Sequence, residues 1–319
     1  MVLDQADWRA LGTNVHLLVV DGDLGAARAL VERLLDDVDR TYSRFRPDSE
    51  LMRLQATPSG TARVSPLLWR AVATAIAVAR DTDGAVDPTI GRAMRIIGYD
   101  DDFGRVAMHD AAIHVELGAV PGWQQVRLDE PTRTVHIPPG VELDLGSSGK
   151  ALAADLAATA ARRAAPDGGV LVSLGGDIAT TGRAPEGGWR ILASEDSETP
   201  ADAAGDVIAI DSGAVATSST TVRRWRALDG TYRHHIVDPW SGVPVDGPWR
   251  TVTVAADSCV AANAAATATI VLGERGLAWL EGRRLPARLV TQAGQVACLG
   301  GWPEPAAAVG GAVAVAGTV

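Results

Sequence analysis

Cysteine, lysine and aromatic residues are scarce in this chain, and each shortage excludes something. Cys259 and Cys298 are the only cysteines in 319 residues. They form no CxxC pair and no disulfide framework, so a cysteine-stapled scaffold is set aside. A reducing compartment is the simpler reading, with a single bridge left open. No uncharged apolar run reaches the ~18 residues that a membrane span needs. The opening residues, MVLDQADWRALGTNV, show no basic region, no apolar core and no lipid-anchoring cysteine, so a cytoplasmic protein is expected. A basic excess is also missing. The net charge of −10 disfavours nucleic acid and acidic membrane surfaces as partners. Aromatics make up 4%, and nine of them are tryptophan, which therefore carries most of the aromatic packing. No repeat of about 20–50 residues is present, and no linker marks a domain boundary.

What is present fits a globular protein with an adequate core: 47% hydrophobic and 21% charged residues, in one large domain or two. Lys150 is the single lysine among 29 basic residues. A position that keeps a compact ammonium where every other basic residue is arginine points to a specific role. Lys150 lies in LDLGSSGKALAAD, Leu143–Asp155. Val141, Leu143 and Leu145 alternate with Glu142 and Asp144, which predicts a half-buried strand. Gly146–Gly149 then reads as a glycine-rich turn, and Lys150 onward as a helix of strong helix formers. A helix start of this kind suits an anion. The plainer alternative is a tight turn with a surface lysine. A P-loop is excluded by spacing, because its first glycine would fall at Asp144 and Ala151 replaces the Ser or Thr that holds Mg²⁺.

Elsewhere, strands are expected over Asn14–Val20, Gly169–Ser173, Trp189–Ala193, Val207–Ile210, Val252–Ala256, Ala287–Thr291 and Gln295–Leu299. Helices are expected over Asp23–Asp39, Ser49–Leu54, Pro66–Thr82, Cys259–Leu272 and Leu277–Arg283. A hairpin is expected around Glu130–Arg133. Tyr99–Pro121 and the insertion Ser194–Gly205 give no clear pattern. Asp87 precedes Pro88 in DGAVDPTIG and reads as a turn residue, a cap or a functional acid. Asp177, after Gly175-Gly176, reads as a ligand acceptor or a turn acid. Thr217–Thr221 is a run of hydroxyls that either caps a helix at Val222–Trp225 or receives a phosphate. In YRHHIVDPWSGVPV, His234 reads as an exposed strand residue and His235 as a general base. Asn263 and Thr267, at i and i+4 on one helix face, offer two oxygen donors to a hard cation, or are internally satisfied polar groups in a tightly packed helix.

Seven blocks, LGT, YSRFRPDSEL, TDGAVDPTIG, LDLGSSGKALAAD, VSLGGDIAT, VATSSTTVRRW…HHIVDPWSGVPV and ANAAATATIVLG, follow one another from Leu11 to about Gly301. In this order the chain resembles the ApbE family, the FAD:protein FMN transferases. The resemblance implies an α+β fold of mixed or antiparallel sheets with packed helices around a central ligand cleft. It implies one domain over residues 1–302, with room for two subdomains, and an Ala/Gly/Val-rich tail over residues 303–319. It implies transfer of FMN from FAD to a Ser or Thr hydroxyl of a target protein with release of AMP, aided by Mg²⁺ or another divalent cation. His235 and Lys150 would be catalytic. Leu11, Phe45, Ala85, Val86, Asp87, Asp144, Lys150 and Ile236 would contact FAD, and Ser147, Asn263 and Thr267 would lie at the metal. The acceptor would carry a motif near DGxTGAT, which this chain lacks. Departures are Asn263 where the pattern has Asp, Phe45 for a usual tyrosine, Leu11 for a frequent methionine and Ser219 at a glycine position. The loss of a carboxylate at position 263 implies a weaker cation site. Hydrolysis of FAD to FMN and AMP, and FAD binding without catalysis, are the alternative activities.

Overall fold

A computed structural model describes residues 1–99, 118–195, 206–226 and 232–303. The expected tail lies outside the described residues apart from Pro303, as do most of Tyr99–Pro121 and the insertion after Glu195. The chain divides into two compact units. The first takes Met1–Asp36, Lys150–Val222 and the chain from Pro248; the second takes Asp37–Gly149 and Arg223–Gly247. The strands are β1 Leu3–Ala10, β2 Thr13–Val20, β3 Thr61–Arg63, β4 Arg127–Asp129, β5 Thr134–His136, β6 Gly169–Leu174, β7 Asp177–Gly182, β8 Trp189–Ala193, β9 Asp206–Ile210, β10 Ala214–Ser219, β11 Arg224–Arg226, β12 Tyr232–His234, β13 Trp249–Ala256, β14 Ala287–Thr291 and β15 Val296–Leu299. The helices are α1 Leu24–Tyr42, α2 Glu50–Gln55, α3 Pro66–Asp81, α4 Gly91–Ile96, α5 Gly146–Ala161, α6 Cys259–Leu272 and α7 Arg275–Arg283. The architecture is α+β. No helix among the described residues is long and apolar enough to cross a membrane.

The first unit is built on an antiparallel sheet of order β1-β2-β6-β7-β10-β13-β14-β15. Its central strands are covered on both faces, which is why β6, GVLVSL, reads as an unbroken run and is buried throughout. One set of side chains, including Leu18, Val20, Leu171, Ile178 and Val215, packs with Trp189, Ile191 and Ile208 of the separate β8–β9 hairpin. Along β2 the intervening residues Val15, Leu17 and Val19 are equally buried, and α6 packs against β7, β10 and β13. That helix is almost all small residues (CVAANAAATATIVL), so its axis can approach the sheet closely. Its N-terminus is held by Ser258, whose Oγ accepts from Ala261 N, and by Asp155. The Asp155 carboxylate accepts from Cys259 N at 2.9 Å and Val260 N at 3.1 Å, so the last residue of LDLGSSGKALAAD caps a different helix.

Two hairpin turns lie at one end of this sheet. Leu11-Gly12 joins β1 to β2, and Gly175-Gly176 joins β6 to β7. All four residues have positive φ, the geometry that lets a two-residue turn follow the strand twist. The turns meet, since Gly175 N donates to Asn14 O at 3.0 Å. A Cβ at Gly175 would lie 2.0 Å from Thr13 Oγ1. The glycines of LGGD thus serve both the turn and a close approach.

Four expectations are corrected. Residues 141–145 form no strand: Leu143 N donates to Gln55 Oε1 at 2.6 Å, Asp144 N to Pro88 O at 2.8 Å, and Gly91 N to Glu142 O at 3.0 Å. The segment is buried apart from Glu142, and loops satisfy its backbone instead of a neighbouring strand. Gly146-Ser-Ser-Gly149 is the first turn of α5 and not a turn before it. The first three residues of the hydroxyl run, Thr217–Ser219, belong to strand β10 and cap no helix: Thr217 lies opposite Thr253 with their oxygens 2.9 Å apart. Arg224–Arg226 then continues as β11 and not as a helix. Strands β1 and β7 carry no strand pattern that the sequence reveals. We expect Gly175→Ala to cost at least ~2 kcal/mol, from a left-handed backbone carrying a side chain and the clash with Thr13. Denaturant unfolding measures this, and a change within error of zero would contradict the turn geometry.

Candidate active site

In the second unit, several of the singled-out residues share one network. Asp144 is buried. Its Oδ1 accepts from Gly146 N at 2.6 Å, so it holds the start of α5, and its Oδ2 lies 2.8 Å from Arg44 Nε. A Cβ at Gly146 would come within 2.8 Å of that same carboxylate, and one at Gly149 within 2.9 Å of the Tyr42 ring. Both glycines are therefore required by close packing. Tyr42 donates its hydroxyl to Gly149 O at 3.0 Å, and burial raises its phenol pKa above the usual range. Ser147 and Lys150 are half-buried in the same helix, and the division between units falls between Gly149 and Lys150.

Arg44 does more than neutralise Asp144. Its Nη2 donates to Tyr99 O at 2.6 Å, and its guanidinium lies 4.2 Å from the Phe45 ring centroid and 4.8 Å from that of Tyr99. Tyr99 meets Phe45 edge-on at 5.8 Å and stacks on Trp225 at 5.5 Å. Its ring centroid is 6.3 Å from that of His235. Phe45 is 40% exposed, so this aromatic group presents a face to solvent. Sequence reasoning missed Arg44, Tyr99 and Trp225. Arg44 and Trp225 lie inside two quoted blocks, but nothing in their local pattern separates them from surface residues.

The expected base sits in a braced hairpin. His234 Nε2 donates to Val245 O at 2.9 Å, and its Nδ1 accepts from Ile236 N at 3.3 Å. His234 is thus a half-buried, neutral link and not an exposed strand residue. Burial holds its imidazole below the ordinary value of 6.5. Val245 N donates to buried Ile236 O, and Asp238 accepts from Trp240 N at 2.9 Å and Ser241 Oγ at 2.7 Å. These bonds set the backbone on both sides of His235.

Asp87 is also buried and caps a short 3-10 turn, Pro88–Ile90. Its Oδ1 accepts from Thr89 N at 2.8 Å and Thr89 Oγ1 at 2.6 Å, and its Oδ2 from Trp123 N at 2.9 Å. It locks the loop that carries Ala85 and Val86, both buried.

The remaining residues belong to the first unit. Leu11 is at the tip of the β1–β2 turn with φ of 51°. Asn263 and Thr267 face the sheet from α6. Asn263 Nδ2 donates to Asp177 Oδ1 at 2.9 Å, and Thr267 Oγ1 lies 2.8 Å from Ser218 Oγ. Both members of the Asn263–Asp177 pair are fully buried. Cys259, at the start of α6, is a buried free thiol whose pKa is raised by burial and by the Asp177 and Asp155 charges, so it remains neutral. Among the described residues, no group of three or more His, Cys, Asp or Glu is arranged for a metal. Amide, hydroxyl and carboxylate oxygens around Asn263 nevertheless suit a hard cation such as Mg²⁺, which takes few protein ligands and completes its shell with water and phosphate.

The model of the ApbE family matches residues 11–289. The chain belongs to the ApbE family. It is 31% identical to an FAD:protein FMN transferase of Vibrio cholerae over 293 residues, covering 88% of this chain and 85% of that protein. A protein of the same name from Chlamydia trachomatis is 29% identical over 280 residues, covering 82% and 81%. Among solved structures, the ApbE protein of Thermotoga maritima superposes with a TM-score of 0.79 at 25% identity, covering 93% of this chain and 97% of that one. The flavin transferase ApbE of Vibrio cholerae gives 0.75 at 24% identity, covering 94% and 98%.

Two outcomes test the network. Asp144→Asn leaves Arg44 without its counter-charge and is expected to cost about 3 kcal/mol, whereas the pair Arg44→Met with Asp144→Asn costs less than that single change. Chemical denaturation compares them, and equal losses would contradict the pairing. Folding strengthens the preference of His234 for its neutral form. Its contribution is therefore complete above about pH 6.5 and is lost as pH falls toward the lower folded value. The melting temperature should fall between pH 7.5 and 5.5, and His234→Gln should flatten that slope. An unchanged slope would contradict the assignment.

Proposed function

We propose that this member of the ApbE family transfers the FMN half of FAD to a Ser or Thr hydroxyl of a protein acceptor and releases AMP, with a divalent cation, expected to be Mg²⁺, as cofactor. The reading is supported by the names of the relatives and, within the structure, by one observation above all. The His235 imidazole lies against the same Tyr99 ring that stacks on Trp225 and meets Phe45. A base beside a half-exposed aromatic face is what a reaction on a flavin-bearing substrate needs.

The acceptor oxygen bonds to the FMN phosphorus, the bond from that phosphorus to the bridging oxygen breaks, and AMP leaves with that oxygen. The acceptor proton passes to His235. Phosphoryl transfer of this kind depends on positioning and charge neutralisation. When bound, a divalent cation supplies positive charge to the diphosphate. Lys150 contributes a second positive charge as a compact ammonium. Ser147, Asn263 and Thr267 are the cation's proposed protein contacts. Leu11, Phe45, Ala85, Val86, Asp87, Asp144 and Ile236 are proposed to shape the FAD site. Asp87 and Asp144 would do so by holding their loops, since both carboxylates bond to the chain itself.

The test compares wild type with His235→Ala, using FAD, Mg²⁺ and an acceptor domain carrying a Ser/Thr flavinylation motif. His235→Ala should bind FAD as wild type does, read by quenching of flavin fluorescence, while covalent flavin on the acceptor falls at least ~100-fold. Transfer at the wild-type rate would remove His235 as the base.

A further inference from the structure

Asn263 offers a cation only a neutral amide oxygen, and a site that binds a divalent ion through neutral oxygens alone is weak. The structure places a carboxylate one hydrogen bond behind it. Asp177 is the first residue of β7, directly after the positive-φ pair Gly175-Gly176. Its Oδ1 accepts from Asn263 Nδ2 at 2.9 Å, with Asp177 0% and Asn263 1% exposed. An ionised carboxylate accepts and never donates, so this bond selects the NH₂ end of the amide. The Asn263 oxygen is thereby turned away from Asp177. Thr267, one helical turn further along the same face of α6, is matched in turn by Ser218.

We infer that Asp177 is a positioning residue for the cation: it fixes which end of the Asn263 amide serves as ligand and supplies the negative charge that Asn263 lacks. This rests on the reading of Asn263 and Thr267 as the cation's side-chain contacts. The charge at the site belongs to the Asp177–Asn263 pair, so exchanging the two residues keeps it. The inference also changes what Asn263→Asp would do. That substitution sets a second carboxylate within hydrogen-bond distance of Asp177, and like charges there repel. The neutral amide is then the partner that Asp177 requires, not a defect of the site.

The experiment uses the full chain without FAD. Mn²⁺ binding is followed by the loss of the free-ion paramagnetic resonance signal, and melting temperatures are recorded with and without Mg²⁺. The wild type should bind Mn²⁺ and melt higher with Mg²⁺. Asp177→Asn should weaken Mn²⁺ binding by about 10- to 100-fold, the usual cost of removing a group that orients a metal ligand. Asn263→Asp should melt lower than wild type without metal and gain more on adding Mg²⁺. The exchanged double variant, Asp177→Asn with Asn263→Asp, should return to within about threefold of wild-type Mn²⁺ affinity, and the loss in Asp177→Asn should come without a matching fall in its metal-free melting temperature, which a purely structural role of Asp177 would produce. Wild-type affinity in Asp177→Asn, or a double variant as weak as Asp177→Asn, would overturn the inference while leaving the cation reading intact. Absence of any Mn²⁺ or Mg²⁺ effect on the wild type would overturn both.

Discussion

A buried carboxylate must be balanced, and Asp144 is the one on which the second unit depends. Removing a carboxylate from water costs several kcal/mol unless opposite charge and hydrogen bonds replace the lost hydration. Arg44 supplies the charge, and Gly146 N supplies the bond that starts α5. The consequences spread from the guanidinium. Because Arg44 is held to Asp144, it also lies over Phe45 and Tyr99 and bonds the Tyr99 carbonyl. One ion pair therefore joins the segment before α5 to an aromatic group whose far side reaches His235. With a net charge of −10, the molecule as a whole repels anions. On the proposed function, a diphosphate substrate has to be met by local positive charge, and the solitary lysine of α5 is the residue proposed to supply it.

The sequence was most legible where local pattern and tertiary role agree. The small-residue helix over Cys259–Leu272 was foreseen with its observed bounds, because an uninterrupted Ala/Val/Ile run after Ser258 has few other solutions. Strand β8 and strand β14 were equally plain. Pattern failed where the environment decides. Strand β1 is an edge strand with mostly exposed residues, so nothing apolar announces it. Residues 141–145 alternate like a strand, yet Asp144 is buried along with Val141, Leu143 and Leu145, and the acids pair with arginines: Glu142 with Arg95 and Asp144 with Arg44. The hydroxyls of β10 suggested a cap, but they bond to Thr253 and Thr251 on the neighbouring strand and to Thr267 on α6. Among the residues proposed to act, Lys150, His235 and Asn263 could be named because composition or motif set them apart. Arg44, Tyr99 and Trp225 lie against partners distant in sequence that only folding reveals, and Asp177, singled out as a ligand acceptor or a turn acid, meets Asn263 only in the fold.

The glycines divide along the same line. In LGGD they permit a two-residue turn with positive φ at both positions, a backbone demand legible from the motif. In GSSG they make room for the Asp144 carboxylate and the Tyr42 ring, a packing demand invisible before the fold is known. Each set fixes an acid: Asp177 behind Asn263 in the first unit, and Asp144 behind Arg44 in the second. Both acids act through the neighbour they hold.

The central claim is that FAD is cut so that its FMN half ends on protein. A single-turnover product balance with enzyme, FAD, Mg²⁺ and a Ser/Thr acceptor domain tests it most directly, by intact-mass measurement of the acceptor together with chromatography of the released nucleotides. The expected result is an acceptor heavier by one FMN moiety and AMP in equal molar amount, with no free FMN. Free FMN matching AMP over an unmodified acceptor, or FAD recovered intact, would contradict it.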